Sequence, residues 1–181
     1  MSLAHAIMTA VLDDELTGYE LAKRFDTSLG FFWQASHQQI YRELRTLSEK
    51  NFLTSRAISQ QKRPDKTVYR LTDEGLEHLQ AWVHNTTKPR LAKDELFIKL
   101  YNLSEDNLAA LIDEVRERRE HVQRNLSLYC RIREKSYANF SELSTRMKGV
   151  ALVLDAGIRD AESILLWCDS ALERLGKIKA G

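Results

Sequence analysis

The chain has 181 residues, 43% hydrophobic and 29% charged, with seven glycines, two prolines and a net charge of +1. That length holds one ordinary domain or two small ones, and the composition suits a helix-rich folded protein with a real core. No apolar run reaches the roughly 18 residues a membrane-spanning helix needs. The opening stretch MSLAHAIMTAVLDDE lacks the basic start and long apolar run of a secretory signal, so the expected location is cytoplasmic. Cys130 and Cys168 stand singly within helical patterns, which suits small core residues in a reducing compartment and not a disulfide framework.

Residues 2–12 read as a short, mostly buried helix that Asp13, Asp14 and Glu15 interrupt. Thr17 with Glu20 has capping-box spacing, so a second helix starts there, with Leu21, Ala22 and Phe25 as its inner stripe and Gly30 as its stop. Phe31, Phe32 and Trp33 form a bulky connector. Ser36 with Gln39 repeats the capping pattern and opens a third helix, whose inner face is Ile40, Leu44 and Leu47. Asn51, a residue that tolerates the left-handed conformation, ends it. The period then changes from about 3.6 to 2. Residues 52–59 and 66–71 read as strands around the polar, proline-bearing tip QQKRPD, which is a β-hairpin pattern. Thr72 caps a fourth helix over 73–85, with Asp73 and Glu74 favourably placed for its dipole.

Thr86, Thr87, Lys88 and Pro89 mark a boundary, giving domains 1–88 and 89–181. Beyond it, Ser104 is expected to cap a long helix to about Phe140, with Leu108, Leu111, Val115, Val122, Leu126 and Tyr129 on its apolar side. Residues 141–146 turn the chain. The last helix carries Met147, Ala151, Leu154, Ile158, Ala161, Leu165, Cys168, Leu172 and Leu175 at alternating spacings of four and three, a coiled-coil seam. Ile164, Trp167 and Ala171 widen this apolar face. Such a helix runs roughly 40 Å. One antiparallel partner covers one side of it, so the remainder is expected to be covered by a second subunit, with Leu154, Ile158, Ala161, Leu165, Trp167, Cys168 and Leu172 as dimerisation residues.

The fold class is therefore mainly α with a small β-hairpin wing: an N-terminal winged helix-turn-helix followed by long antiparallel helices. A major groove about 12 Å wide admits one α-helix, the preceding helix braces it, and a basic hairpin grips phosphates. Charge is segregated to match. Between Arg42 and Thr72 there are eight basic residues against three acidic ones, +5 for that stretch, so the rest of the chain carries −4. The candidate DNA-contacting residues are Ser36, Gln38, Gln39, Tyr41, Arg42 and Arg45 on the third helix, Lys62, Arg63 and Lys66 on the wing, and Tyr19 on the bracing helix beside Lys23 and Arg24. Each has a plainer alternative. Ser36 and Gln39 are caps, Tyr19 and Tyr41 are packing residues, and Arg42, Arg45 and the wing bases are solvated surface charges. Gln38 is the side chain that capping leaves unexplained, and its paired donor and acceptor suit adenine. Tyr69, Trp82 and Trp33 read as core, with Trp33 alternatively lining an effector pocket near the domain junction.

LTGYELAKRF, FFWQASHQQIYRELRTLSEKNFLTS and RPDKTVYRLTDEGLEHLQAWV together resemble the PadR family of transcriptional regulators over residues 3–85. The shared elements are a GYEL-type second helix, an FW connector, an S-x-x-x-I-Y recognition helix and a Y-x-L-T-x-x-G exit from the wing, preceded by Lys66. From KDELFIKLYNLSEDNL onward the chain is similar to the C-terminal α-helical region of the subgroup that includes virulence activators. The resemblance implies a homodimeric regulator, a repressor by expectation, bound to a (pseudo)palindromic double-stranded DNA operator with recognition helices ~34 Å apart. A small-molecule effector between head and helical region would alter that spacing.

No cofactor is expected, and nothing in the pattern points to catalysis. The five histidines lack metal-ligand spacing, and no phosphate-cradling Gly-rich loop is present. Three other readings stay open: an activator of the same family, a winged-helix module that binds protein, and the dimerising front of a methyltransferase. The last would need a nucleotide-binding βαβ unit that these residues do not contain.

Overall fold

The computed structural model describes residues 3–27, 33, 35–59, 66–87 and 93–180. The chain divides into two compact units, Met1–Pro89 and Arg90–Gly181. The expected stop at Gly30, the connector residues Phe31 and Phe32, the hairpin tip with Lys62 and Arg63, and the boundary residues Lys88 and Pro89 lie outside the described residues.

The first unit runs α1 (Leu3–Ala10), β1 (Leu16–Thr17), α2 (Gly18–Thr27), α3 (His37–Glu49), β2 (Leu53–Ile58), β3 (Lys66–Leu71) and α4 (Asp73–Val83). The strands form an antiparallel sheet in the order β1-β3-β2, with Leu53 opposite Leu71 and Leu16 opposite Tyr69. β1 was not legible in the sequence. Two residues are too few to show a period, and their strand conformation comes from pairing with β3. The core gathers Ile7, Met8 and Val11, then Leu21, Ala22 and Phe25, then Ile40, Leu44 and Leu47, with Leu53 and Leu79 closing it. Fully burying each large aliphatic contributes about 1.5–3 kcal/mol. The stripes expected for α2 and α3 are the buried ones, and Trp33, Tyr69 and Trp82 pack partly buried against the same cluster.

Two corners lock this unit. Asn51 has φ 59°, the left-handed conformation that ends α3. Its carbonyl accepts from the Thr72 hydroxyl at 2.7 Å, and its amide donates to Glu74 at 3.0 Å. Thr72 in turn caps α4 by accepting from the Gly75 N–H at 2.9 Å. Gly75 is packed so tightly that a Cβ would stand 2.2 Å from the Phe52 carbonyl oxygen. The turn after α3 and the turn before α4 are thus one hydrogen-bonded knot.

The second unit comprises α5 (Glu95–Tyr101), α6 (Leu108–Ser136), a 3-10 turn (Phe140–Glu142) and α7 (Thr145–Ala180). α5 was not expected. Asp94 caps it, accepting from the Leu96 N–H at 3.0 Å, so an acid before the apolar run ELFIKLY was the available signal. α6 begins four residues after the expected cap and ends at Ser136. Ser104 does not cap it. Its N–H donates to the Asn107 side chain at 2.9 Å, which donates onward to the Asn102 carbonyl, and this local turn competes with helix. α6 and α7 pair antiparallel, with Arg119 on Asp169 at 2.5 Å and Arg133 on Asp155 at 3.7 Å.

The seam on α7 is real, but it faces its own chain. Ala151, Leu154, Ile158, Ala161, Cys168 and Leu175 are buried within the single chain. Leu96, Leu108, Leu111, Ile112 and Val115 share a cluster with Cys168 and Leu175, and Ile164, Trp167, Ala171 and Leu172 pack partly buried against it. Of the residues expected to meet a second subunit, Leu154, Ile158, Ala161 and Cys168 therefore already have intra-chain partners. Leu165, Trp167 and Leu172 keep part of their surface exposed. A heptad repeat reports that a helix has a helical partner and does not say whose it is.

Candidate nucleic-acid interface

The outward face of α3 is built by its capping box. The Ser36 hydroxyl accepts from the Gln39 N–H at 3.3 Å, while the Gln39 side-chain oxygen accepts from the Ser36 N–H at 2.9 Å. Both residues are thus caps in this structure, with one acceptor site of the Gln39 side-chain oxygen taken up by the cap. With Ile40, Leu44 and Leu47 pinned inward, the 3.6 period turns His37, Gln38, Tyr41, Arg42 and Arg45 outward. These five line one shallow cleft of about 500 Å³. Two guanidinium forks, an amide with both donor and acceptor and a phenol on one exposed helix face can meet phosphate oxygens and base edges.

Tyr41 is 48% exposed, and its ring lies against Gly18. A Cβ at Gly18 would come within 2.4 Å of the Tyr41 ring, so the first residue of α2 must be glycine for the ring to lie there. Tyr41 and Arg45 also reach the field of Tyr69 on β3, whose hydroxyl is pushed up first by burial and then by Tyr41, against a lowering by Arg45. The outer edge of α3 therefore lies within electrostatic reach of β3.

On α2, the Thr17–Glu20 box is formed in full. The Glu20 carboxylate accepts from the Thr17 N–H at 2.8 Å and from its hydroxyl at 2.7 Å, and that hydroxyl accepts from the Glu20 N–H at 3.1 Å. These bonds hold the Glu20 carboxyl below its ordinary range, with smaller help from Lys66 and Arg24. Tyr19 stands beside the box, 68% exposed. Arg24 is a structural residue, donating to the Ala10 carbonyl at the end of α1 and to Asp14, both at 2.8 Å.

Of the wing bases, Lys66 is exposed at the start of β3. The register places Lys66 and Arg70 on one face of the sheet with Arg56 of β2, because Arg56 pairs with Val68 and Thr54 with Arg70. Arg56 and Arg70 were counted in the charge balance but not singled out, although a period-2 reading of KTVYRL groups Lys66 with Arg70. Arg56 is engaged by Glu15 at 2.6 Å, and that bond holds the Glu15 carboxyl down, with further lowering from the charges of Arg56 and Arg70.

Four helices, a three-stranded antiparallel sheet and an outward cationic and polar face on the third helix define a winged-helix head of the kind carried by transcriptional regulators, here followed by a helical unit. Residues 7–81 match the model of the "Transcriptional regulator PadR-like family", and residues 92–176 match that of "Virulence activator alpha C-term". The chain belongs to the PadR-like family of transcriptional regulators. It is 35% identical to the probable transcriptional regulator Rv1176c of Mycobacterium tuberculosis, over 97% of this chain and 98% of that protein. To the negative transcriptional regulator PadR of Bacillus subtilis it is 31% identical, with the same coverages. The crystal structure of that PadR with operator DNA superposes with a TM-score of 0.76 at 30% identity, covering 97% of this chain and 99% of that one. The same protein with p-coumaric acid gives a TM-score of 0.70 with the same identity and coverages. The Vibrio cholerae virulence activator AphA gives 0.74 at 28% identity, covering 96% and 98%. These relatives are regulators of transcription and not enzymes. No helix among the described residues is long and apolar enough to cross a membrane.

Proposed function

We propose that this chain is a homodimeric repressor that binds a twofold operator through the outward face of α3, with the wing gripping phosphates beside it. The observation that carries this reading is the face itself: Gln38, Tyr41, Arg42 and Arg45 exposed together on a helix whose other side is locked into the core. In this reading Gln38 and Arg42 read bases, while Tyr41, Arg45, Lys62, Arg63, Lys66 and Tyr19 position the phosphate backbone, with Ser36 and Gln39 adding contacts from the cap. Repression and a small-molecule effector are supported by the B. subtilis relative, a negative regulator solved with operator DNA and with p-coumaric acid. AphA, an activator of similar fold and 28% identity, supports the opposite polarity.

Dimerisation is supported by the apolar surface that the second unit leaves open. Leu152 is 60% and Leu166 72% exposed, two heptads apart on α7 and turned away from the α6-facing seam. Val150, Val153 and Ile178 are exposed on the same helix. A second copy would meet these residues and the open parts of Leu165, Trp167 and Leu172.

The test is selection of genomic duplexes by the purified protein, followed by affinity titrations in increasing salt. A twofold consensus is expected, with a log-log salt slope near 0.9 per neutralised phosphate. Arg42→Ala should relax the preference at one base position, whereas Lys66→Ala should weaken all sequences about equally. An asymmetric consensus with a flat salt response would favour a protein-binding winged helix. Reporter output with and without the protein decides between repressor and activator.

A further inference from the structure

Two imidazoles lie in the packing between α1 and α4. The His5 ring stacks on the Trp82 indole, with centroids 4.2 Å apart and planes 16° apart, and faces His78 at 5.5 Å and 14°. His78 stacks in turn on Phe52 at 4.5 Å and 18°. The outer members of this stack reach solvent. The ring nitrogens of His5 do not: both are sealed off, and neither has a hydrogen-bond partner among the described residues.

A neutral imidazole is tolerable in that place because its ring faces are covered by aromatic surface. An imidazolium is not. Both its nitrogens become donors, both would be unpaired, and the charge would be taken from water without a counter-ion. Attraction between the cation and the Trp82 ring face opposes this, but it is smaller than the penalty for a desolvated charge with two orphan N–H groups. The groups whose charge acts on His5 are His78 from α4 and the chain's α-amino group, both cationic when protonated. No carboxylate from α1, α2, α3 or α4 among the described residues offsets them.

We propose that the α1–α4 seam is a proton-operated latch, closed while His5 is neutral and loosened when His5 takes up a proton. Burial first, then the His78 and α-amino charges, hold His5 below its ordinary value of 6.5. The sign follows from linkage. The unfolded chain binds this proton more readily than the folded one, so the stability of the seam is fully present above about 6.5 and is lost as pH falls below it. The seam backs the candidate interface directly. Ile7 and Met8 of α1 belong to the same core cluster as Ile40 and Leu44 of α3, and α4 holds the knot that ends α3. Mild acid therefore withdraws support from α3. The latch itself does not depend on what the head binds.

Thermal unfolding of the full chain from pH 7.5 to pH 5, beside a His5→Phe variant that keeps the aromatic stack without a titrating group, tests the latch. The wild type is expected to lose at least ~4 °C more than the variant over that span. An equal loss in both overturns the latch. The NMR titration of the His5 ring in the wild type serves even if the variant fails to fold. A midpoint below 6.5, with α1 and α4 amide signals moving on the same curve, is expected. A midpoint at or above 6.5, or α4 amides that ignore it, overturns the latch equally. A selected operator then shows the consequence: wild-type affinity should fall several-fold more than variant affinity between pH 7 and pH 5.5.

Discussion

A Cβ at Gly18 would stand 2.4 Å from the Tyr41 ring, and one at Gly75 would stand 2.2 Å from a backbone oxygen. The two glycines thus make opposite predictions. The neighbour of Gly18 is the exposed side of a ring that can swing, so Gly18→Ala should change stability by under about 1 kcal/mol in urea unfolding. It should still lower operator affinity, because it displaces Tyr41. The neighbour of Gly75 is main chain, which cannot move without breaking the Asn51–Thr72 knot. Gly75→Ala should therefore cost about 1–3 kcal/mol in the same measurement. Neither constraint was legible in the sequence. GYEL and DEG show a glycine at a helix start, but the atoms that forbid a side chain belong to residues more than twenty positions away.

Elements carry their own predictions through their ends. The α3 capping box satisfies two otherwise free N–H groups, so Ser36→Ala should destabilise the head by about 1 kcal/mol. Its effect on operator affinity beyond that loss would measure whether the hydroxyl also meets phosphate. In the second unit Asp94 both caps α5 and receives the Arg118 guanidinium in a two-armed, partly buried pair. Phe97 continues the joint, packing edge-on against Trp167 at 5.2 Å. Asp94→Asn should cost roughly 1.5–3 kcal/mol, the range for a hydrogen bond to a charged group. The Arg118 hydrogen bond, and to a smaller degree the Leu96 N–H and the Arg118 charge, hold the Asp94 carboxyl below its ordinary range. Its contribution is thus present above the ordinary aspartate range and lost as pH falls through it. Acid titration of stability should show a shallower low-pH decline in Asp94→Asn than in the wild type. Helix starts marked by a Ser or Thr three residues before Glu or Gln were readable because the cap is a local bargain. Ser104 misled because a neighbouring Asn competed for the same turn.

For the whole molecule, the decisive surface is the apolar one that the fold leaves open on α7. A Leu152→Glu, Leu166→Glu double change puts charges where a second copy is proposed to sit. It should leave the α6–α7 pair folded and shift sedimentation from dimer to monomer. Operator affinity should then fall by orders of magnitude, because two heads joined in one particle bind far more tightly than either alone. A dimer that persists through both changes would move the interface to another face.

Whatever depends on near neighbours was decided by the sequence alone. The helices of the head, their caps, the left-handed Asn51, the two hairpin strands and the heptad seam all follow from periods of 3.6 and 2 and from bonds spanning three or four residues. The tertiary structure decided what depends on distant partners. A two-residue strand exists because β3 is there to pair with it, and Gly75 is required because Phe52 lies against it. Most of the α7 seam turned out to be spent on its own α6 because the chain folds back there and lays α6 against it. An amphipathic pattern states that a face must be covered, and only the folded chain shows which faces it has already covered itself.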